Sequence, residues 1–257
     1  MRLCRMAFKA NRPVKTTQKT FEIIEHLSQT DRIRLSEIAD QLDISKGIVH
    51  NHLSTLRELG YVRKIGEEYQ LTPKLLSTGF QARSRSRLFN AARVPLSDTA
   101  DSLNTGIILS EHAVSDSIVT DVRSLPESLD ISIGTSFSLT ESLTGLVIAA
   151  AGSRDMPNNI TTEYDQAELI ESISEKGYAI GPITPAISVS CVAVPIVDEQ
   201  EYCYGSVVIL LPTNISEQQR QQIIEVIVKL RTRIQNRLDS GWESTRSFAT
   251  EKHSWIS

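Results

Sequence analysis

The most constraining stretch of this chain is residues 45–71, where a helical apolar period stops at a glycine and gives way at once to a hairpin pattern. Val49, Leu53 and Leu56 recur at i, i+4 and i+7, so they form one stripe on a helix that Ser45 can cap and Gly60 can end. Tyr61–Ile65 and Glu68–Leu71 then flank Gly66-Glu67 as two short strands around a tight turn. Upstream, Thr16 or Thr17 can cap a helix whose buried face would be Phe21, Ile24 and Leu27. A second helix, opened by Ser36 and carrying Glu37, Ile38, Ala39 and Leu42, follows the connection 31–35. It meets the third through the short turn Leu42-Asp43-Ile44-Ser45. Three helices and a hairpin in this order spell a winged helix-turn-helix.

Charge gives that reading a partner. Residues 1–95 carry 17 Lys/Arg against 9 Asp/Glu, whereas residues 96–257 carry 10 against 22. A basic third joined to an acidic remainder suits one half that meets a polyanion, double-stranded DNA, and one that does not. In a helix-turn-helix the N-terminal residues of the third helix face base edges. Here these are Ser45, Lys46, Gly47, His50 and Asn51. Asn suits adenine, Lys and His reach guanine acceptors, and Gly47 permits close approach. Arg57, Arg63, Lys64 and Lys74 are placed for phosphates, while Glu67 and Glu68 at the wing tip keep it from lying deep in a groove. A helical module that binds protein is the alternative.

No metal or cofactor is expected. His50 and His52 are two apart on a helix and therefore point in opposite directions, and His26, His112 and His253 lack partners at ligand spacing. The chain has no GxSxG, P-loop or HExxH signature, and Cys191 sits in a strand-like run with no histidine near, so a small buried thiol is expected rather than a nucleophile. Cys4, Cys191 and Cys203 form no CxxC pair, which fits a reducing compartment. No apolar run approaches a membrane span and the start lacks a secretory pattern, so a cytoplasmic protein is expected. With 257 residues, 40% of them hydrophobic, two domains can each bury a core without staples.

The five basic residues of segment 1–15 read as an arm along the DNA backbone or as a disordered tail, with Met6 an alternative start. The winged helix-turn-helix occupies 16–72. A linker helix, opened by Thr72-Pro73 and faced by Leu75, Leu76 and Phe80, occupies 73–87 and ends in the polar run with Arg83, Arg85 and Arg87. The domain 88–239 begins with a helix to about Leu103, bent or interrupted at Pro95. Strands are expected at 106–109, 117–122, 129–133, 189–197 and 204–211, and helices at 140–151 and 163–177. A final helix from the capping box Ser216–Gln219 carries Ile223, Ile227, Leu230, Ile234 and Leu238. This is an α+β plan, an antiparallel sheet flanked by helices, with a disordered tail at 240–257.

The run Ser45-Lys46-Gly47-Ile48-Val49-His50-Asn51-His52-Leu53-Ser54-Thr55-Leu56-Arg57-Glu58-Leu59-Gly60-Tyr61-Val62, followed by Glu68-Tyr69-Gln70-Leu71, resembles the recognition helix and wing of the IclR family of transcriptional regulators. The resemblance runs from Thr17 through Gly79 and resumes over the GAF-like effector domain of that family. There Gly145, Glu175-Lys176-Gly177-Tyr178-Ala179 and Val192-Ala193-Val194-Pro195-Ile196-Val197-Asp198 match. The wording Val49–Leu56 is most similar to archaeal, especially halophilic, members. Asn51 stands where the family commonly has arginine, so base preference should differ.

The resemblance implies a dimeric or tetrameric DNA-binding regulator, modulated by a small-molecule effector of unknown identity. It places the effector pocket at Ser142, Leu143, Thr144 and Gly145, with Cys191, Val208 and Leu210. Leu143, Val208 and Leu210 replace small or polar pocket residues of carboxylate-sensing members. Gly181-Pro182 replaces an acidic pair, and Ser138-Leu139-Thr140 replaces Pro-x-His. The ligand these changes suit is more apolar, or absent, leaving a domain that only oligomerises.

Overall fold

The computed structural model describes residues 10–114, 116–152, 172–173 and 175–250, with the backbone alone for 241–250. The chain divides into two compact units between Ser84 and Arg85.

The N-terminal unit contains α1 (Lys15–Ser28), β1 (Ile33–Arg34), α2 (Leu35–Gln41), α3 (Lys46–Glu58), β2 (Val62–Ile65), β3 (Glu68–Leu71) and α4 (Lys74–Ser84). Its core is Ile23, Leu27, Ile38, Val49, Leu53, Leu56, Val62 and Tyr69, all buried. Local chemistry sets α3 firmly at both ends. Ser45 Oγ accepts the Ile48 N–H at 3.3 Å. At the other end Tyr61 N donates to Leu56 O and Gly60 N to Arg57 O, with Gly60 at φ 79°. That pair of bonds is a Schellman ending, which needs a residue free to take positive φ. Asp43, at φ 50°, turns the chain between α2 and α3, a conformation Asp tolerates better than most side chains.

Several expectations change here. Helix α1 starts at Lys15 behind Val14, with no side-chain cap, so Thr16 and Thr17 lie inside its first turn. Its buried row is Ile23 and Leu27, while Phe21 is 56% exposed. The sequence offers two overlapping apolar rows on α1, and packing against the other elements selects one. Helix α2 begins at Leu35, one residue before Ser36, and Glu37 Oε2 accepts the Arg34 N–H at 3.0 Å. Strand β1, two residues long, pairs antiparallel with β3 and gives the sheet order β1-β3-β2. It is too short to leave any period in the sequence.

The C-terminal unit contains α5 (Arg87–Leu103), β4 (Ile107–Ala113), β5 (Asp116–Arg123), β6 (Ser136–Ser138), α6 (Leu143–Gly152), β7 (Ala179–Pro182), β8 (Ser190–Val197), β9 (Cys203–Leu210) and α7 (Glu217–Thr250). The six strands form one antiparallel sheet in the order β6-β5-β4-β9-β8-β7. Alternation sorts its side chains onto two faces. Val192, Val194, Ile196, Val207 and Ile209 pack with α5 and with the α7 stripe Ile223, Ile227, Leu230, Ile234 and Leu238. Ile108, Val119, Cys191, Ala193, Val208 and Leu210 pack with α6.

Helix α5 runs through Pro95 without interruption. Proline cannot donate to the carbonyl four residues back, and that carbonyl, Ala91 O, accepts instead from Arg237 Nε on α7 at 2.9 Å. Residues 129–133 are not a strand. Gly134 takes φ 96° and its N–H bonds Val119 O, so the chain turns and pairs with β5 only at Ser136–Ser138, while Ile131 tucks into the core. Helix α6 starts at Leu143 rather than Thr140, because Ser138, Thr140 and Ser142 bond one another's side chains and backbone in the preceding turn. The capping box at α7 forms, with Gln219 N donating to Ser216 Oγ and Ser216 N to Gln219 Oε1. The helical backbone of α7 continues to Thr250, past residue 240 where a tail is expected; no proline interrupts it. Most of the expected helix 163–177 and the arm 1–9 lie outside the described residues.

Candidate nucleic-acid interface and effector site

On α3 the buried stripe Val49, Leu53 and Leu56 faces the core, which leaves the opposite strip outward. Ser45, Lys46, Gly47, His50 and Asn51 are all exposed on it. A Cβ built on Gly47 meets nothing within 4 Å, so no internal packing calls for glycine there. The two neighbouring histidines separate as the helical period requires. His50 is exposed, while His52 is half-buried with Nδ1 2.9 Å from Thr20 Oγ1, which ties α3 to α1. Among the described residues no group of three or more His, Cys, Asp or Glu is arranged to hold a metal ion.

The cations expected at phosphates divide into two kinds. Arg57 is exposed near the end of α3. Arg63 on β2 donates through Nε and Nη2 to Gln70 Oε1 at 2.9 and 2.7 Å, and Gln70 in turn donates to Asp31 at 2.7 Å. Lys64 pairs with Glu67 at 3.3 Å. Lys74 donates to Leu59 O and lies 4.7 Å from the Tyr61 ring centroid, so it finishes the end of α3 rather than reaching outward. Surface pairs of this kind are worth little, so Arg63 and Lys64 can exchange them for a phosphate, whereas Lys74 has a structural post. Sequence reasoning missed Ile48, which shares the outward strip at 45% exposure. Its signal was legible: an isoleucine one position off the buried stripe.

In the C-terminal unit the six residues expected to line the effector pocket do come together, and they are closed. Ser142, Leu143, Thr144, Cys191, Val208 and Leu210 are all buried. Leu143, Cys191, Val208 and Leu210 belong to one cluster with Ile108, Leu146 and Ile183. The polar atoms satisfy each other. Ser142 Oγ donates to Ser138 O at 2.8 Å, accepts the Gly145 N–H at 3.0 Å and lies 3.0 Å from Thr144 Oγ1. Cys191 Sγ donates to Gly181 O at 3.2 Å. Burial pushes the Cys191 thiol up to about 12, which leaves it protonated and unreactive at neutral pH. Gly145 is required at its position because a Cβ would run into the Leu139 backbone and Ser138 O. Among these described residues the side-chain donors are already bonded within the protein, which leaves none of them free for a carboxylate.

The chain thus joins a winged helix-turn-helix, with an exposed strip on α3, to a helix and an antiparallel-sheet domain. Residues 16–66 match the model of the IclR helix-turn-helix domain. The chain is similar to the HTH-type transcriptional regulator KdgR of Escherichia coli (24% identity, covering 83% of this chain and 89% of KdgR). It is also similar to the probable HTH-type transcriptional regulator ArcR of Halobacterium salinarum (23% identity, 78% of this chain and 84% of ArcR). Kinship to both organisms ties the chain to no single branch. The fold matches the crystal structure of an IclR transcriptional regulator from Alicyclobacillus acidocaldarius with a TM-score of 0.71 at 20% identity, over 88% of this chain and all of that one. Residues 16–66 thus match an IclR helix-turn-helix domain, and most of the chain's length is similar to HTH-type transcriptional regulators. Among its described residues no helix is long and apolar enough to cross a membrane.

Proposed function

We propose that the chain is a sequence-specific operator-binding regulator that works as a dimer or tetramer. The observation that carries this reading is the outward strip of α3, where Ser45, Lys46, Gly47, His50 and Asn51 are exposed while Val49, Leu53 and Leu56 are buried on the opposite face. In this reading Asn51 and Lys46 contact base edges. Arg57, Arg63 and Lys64 hold phosphates and supply affinity without sequence information. Reading heads 16–72, a linker 73–87 and a sensor 88–239 are the working parts, with 1–15 and 240–257 outside them. Pairing of two chains is supported by α4, which has no buried residue and leaves Leu76 59% and Phe80 44% exposed at i, i+4 spacing.

The test is binding of the full chain to duplexes selected from a random pool. Asn51→Ala should cost about 1–3 kcal/mol at the base it reads and relax the selected sequence there, and Lys46→Ala should also weaken binding. Unchanged affinity and specificity in both variants sinks the assignment.

The sensor has two readings. In the first, a small molecule with a largely apolar surface binds one arrangement of the paired sensor domains more tightly and shifts operator affinity by that difference. In the second, the domain only oligomerises, and the closed packing of Leu143, Cys191, Val208 and Leu210 favours it. A metabolite panel separates them. A ligand at a hundred times its Kd raises stability by about 2.7 kcal/mol, and a panel that leaves Tm unmoved supports the second reading.

A further inference from the structure

We infer that Ile48 is a specificity-determining residue of α3, reading the C5-methyl group of a thymine in the major groove beside the base contacted by Asn51. The inference rests on α3 being the recognition helix. Ile48 lies in the first turn of α3, its backbone N–H held by the Ser45 cap, and its side chain is 45% exposed. Every other apolar side chain of α3 that the core uses, Val49, Leu53 and Leu56, is fully buried. An isoleucine adds nothing to helix formation that alanine or lysine would not supply better. In a helix its χ1 is nearly confined to one rotamer, so its methyl groups form a fixed apolar surface with little entropy left to lose on contact.

The chemistry of the groove then selects the partner. Of the four bases only thymine presents a methyl group there; the other edge groups are hydrogen-bond donors and acceptors that isoleucine cannot satisfy. Position gives the neighbour. Ile48 and Asn51 are three residues apart, hence about 60° apart around the helix and about 4.5 Å along it. That offset is comparable to the roughly 3.4 Å step between successive base pairs. Asn51 suits adenine, so the preferred half-site should place thymine next to adenine at the centre of its contacted bases.

The experiment uses the full chain and duplexes enriched by it from a random pool. Each thymine of the enriched half-site is replaced in turn by deoxyuridine, which lacks only the methyl group, and Kd is measured by fluorescence anisotropy. One position, adjacent to the adenine whose preference Asn51→Ala abolishes, should lose about fourfold, the worth of one buried methyl group. Ile48→Ala should bind thymine and deoxyuridine equally at that position and keep its preference for the adenine, while Ile48→Val keeps part of the effect. The inference is overturned if no thymine is sensitive to loss of its methyl group, or if Ile48→Ala retains the full penalty. A change in oligomeric state without any methyl dependence overturns it too, assigning Ile48 to a protein contact. A pool that enriches no sequence overturns the sequence-specific reading itself, and this inference with it.

Discussion

At the scale of single residues, the two glycines of greatest interest answer to opposite demands. Gly145 is held by its own fold, since a side chain there would strike the Leu139 backbone and Ser138 O, which cannot swing aside. Gly145→Ala should therefore cost about 1–3 kcal/mol, the usual range for overpacking, read as a fall in Tm with DNA binding intact below it. Gly47 has open space around it. Gly47→Ala should leave stability unchanged or raise it by up to about 1 kcal/mol, because alanine is the better helix former. Operator affinity should nonetheless fall, if close approach to DNA is what the glycine serves. A loss of stability at Gly47→Ala, or unaltered binding, would contradict that role.

The buried thiols make a second prediction at this scale. Burial raises both Cys191 and Cys203 from the ordinary value of 9.0 to about 12. In the unfolded chain each thiol ionises near 9, in the folded one near 12, so the folded state holds its protons longer. Their contribution to stability is thus complete below pH 9 and lost as pH rises from 9 towards 12. Chemical denaturation across that window should show stability falling in the native chain and falling less steeply in Cys191→Ala. Alkylation should be slow until the chain unfolds.

At the scale of elements, α5 and α7 form one device. A proline in mid-helix normally costs about 3 kcal/mol through a lost hydrogen bond and a steric clash. Here the carbonyl that Pro95 cannot serve is taken by Arg237 Nε. Arg237→Ala should destabilise the domain by about 1–3 kcal/mol, the cost of leaving a buried acceptor unpaired. In a Pro95→Ala background the same substitution should cost less, because residue 95 regains its N–H. A double-mutant cycle by thermal or urea unfolding measures the coupling, and zero coupling would show that Ala91 O has another partner. Other elements depended on local chemistry that a reader of the sequence could follow. Helix α3 has its cap, its stripe and its Schellman glycine written in consecutive residues, and β2 and β3 follow around Gly66.

For the whole molecule, the contrast between a basic N-terminal third and an acidic remainder is a statement about partners and salt. If Arg57 neutralises a phosphate, log Kd against log salt should lose about 0.9 in slope per contact on Arg57→Ala. Arg63→Ala or Lys64→Ala should change the slope less, because those side chains give up Gln70 and Glu67 to reach DNA. Slopes unchanged from the native chain in all three variants would place the phosphates elsewhere.

The chain order of amino acids was sufficient for whatever depends on neighbours within a turn or a hairpin: the helices of the N-terminal unit, the hairpin β2–β3, the strands β4, β5, β8 and β9, the α7 stripe, the exposed residues of α3, the charge division and the family resemblance; it did not show the short strands β1, β6 and β7. It also brought into view, as a set, the six residues that the resemblance placed around an effector, which pack close together. Contacts between distant segments were decided by the tertiary structure alone. These include which row of α1 is buried, the two-residue β1 on the edge of β3, the turn at Gly134 that moves the edge strand to Ser136–Ser138, and Arg237 at Ala91 O. The closed packing of Leu143, Val208 and Leu210 against the sheet belongs with them. The physical reason is that helix period and turn chemistry act over a few residues, whereas burial and polar pairing are settled by whichever remote surface comes to rest against them.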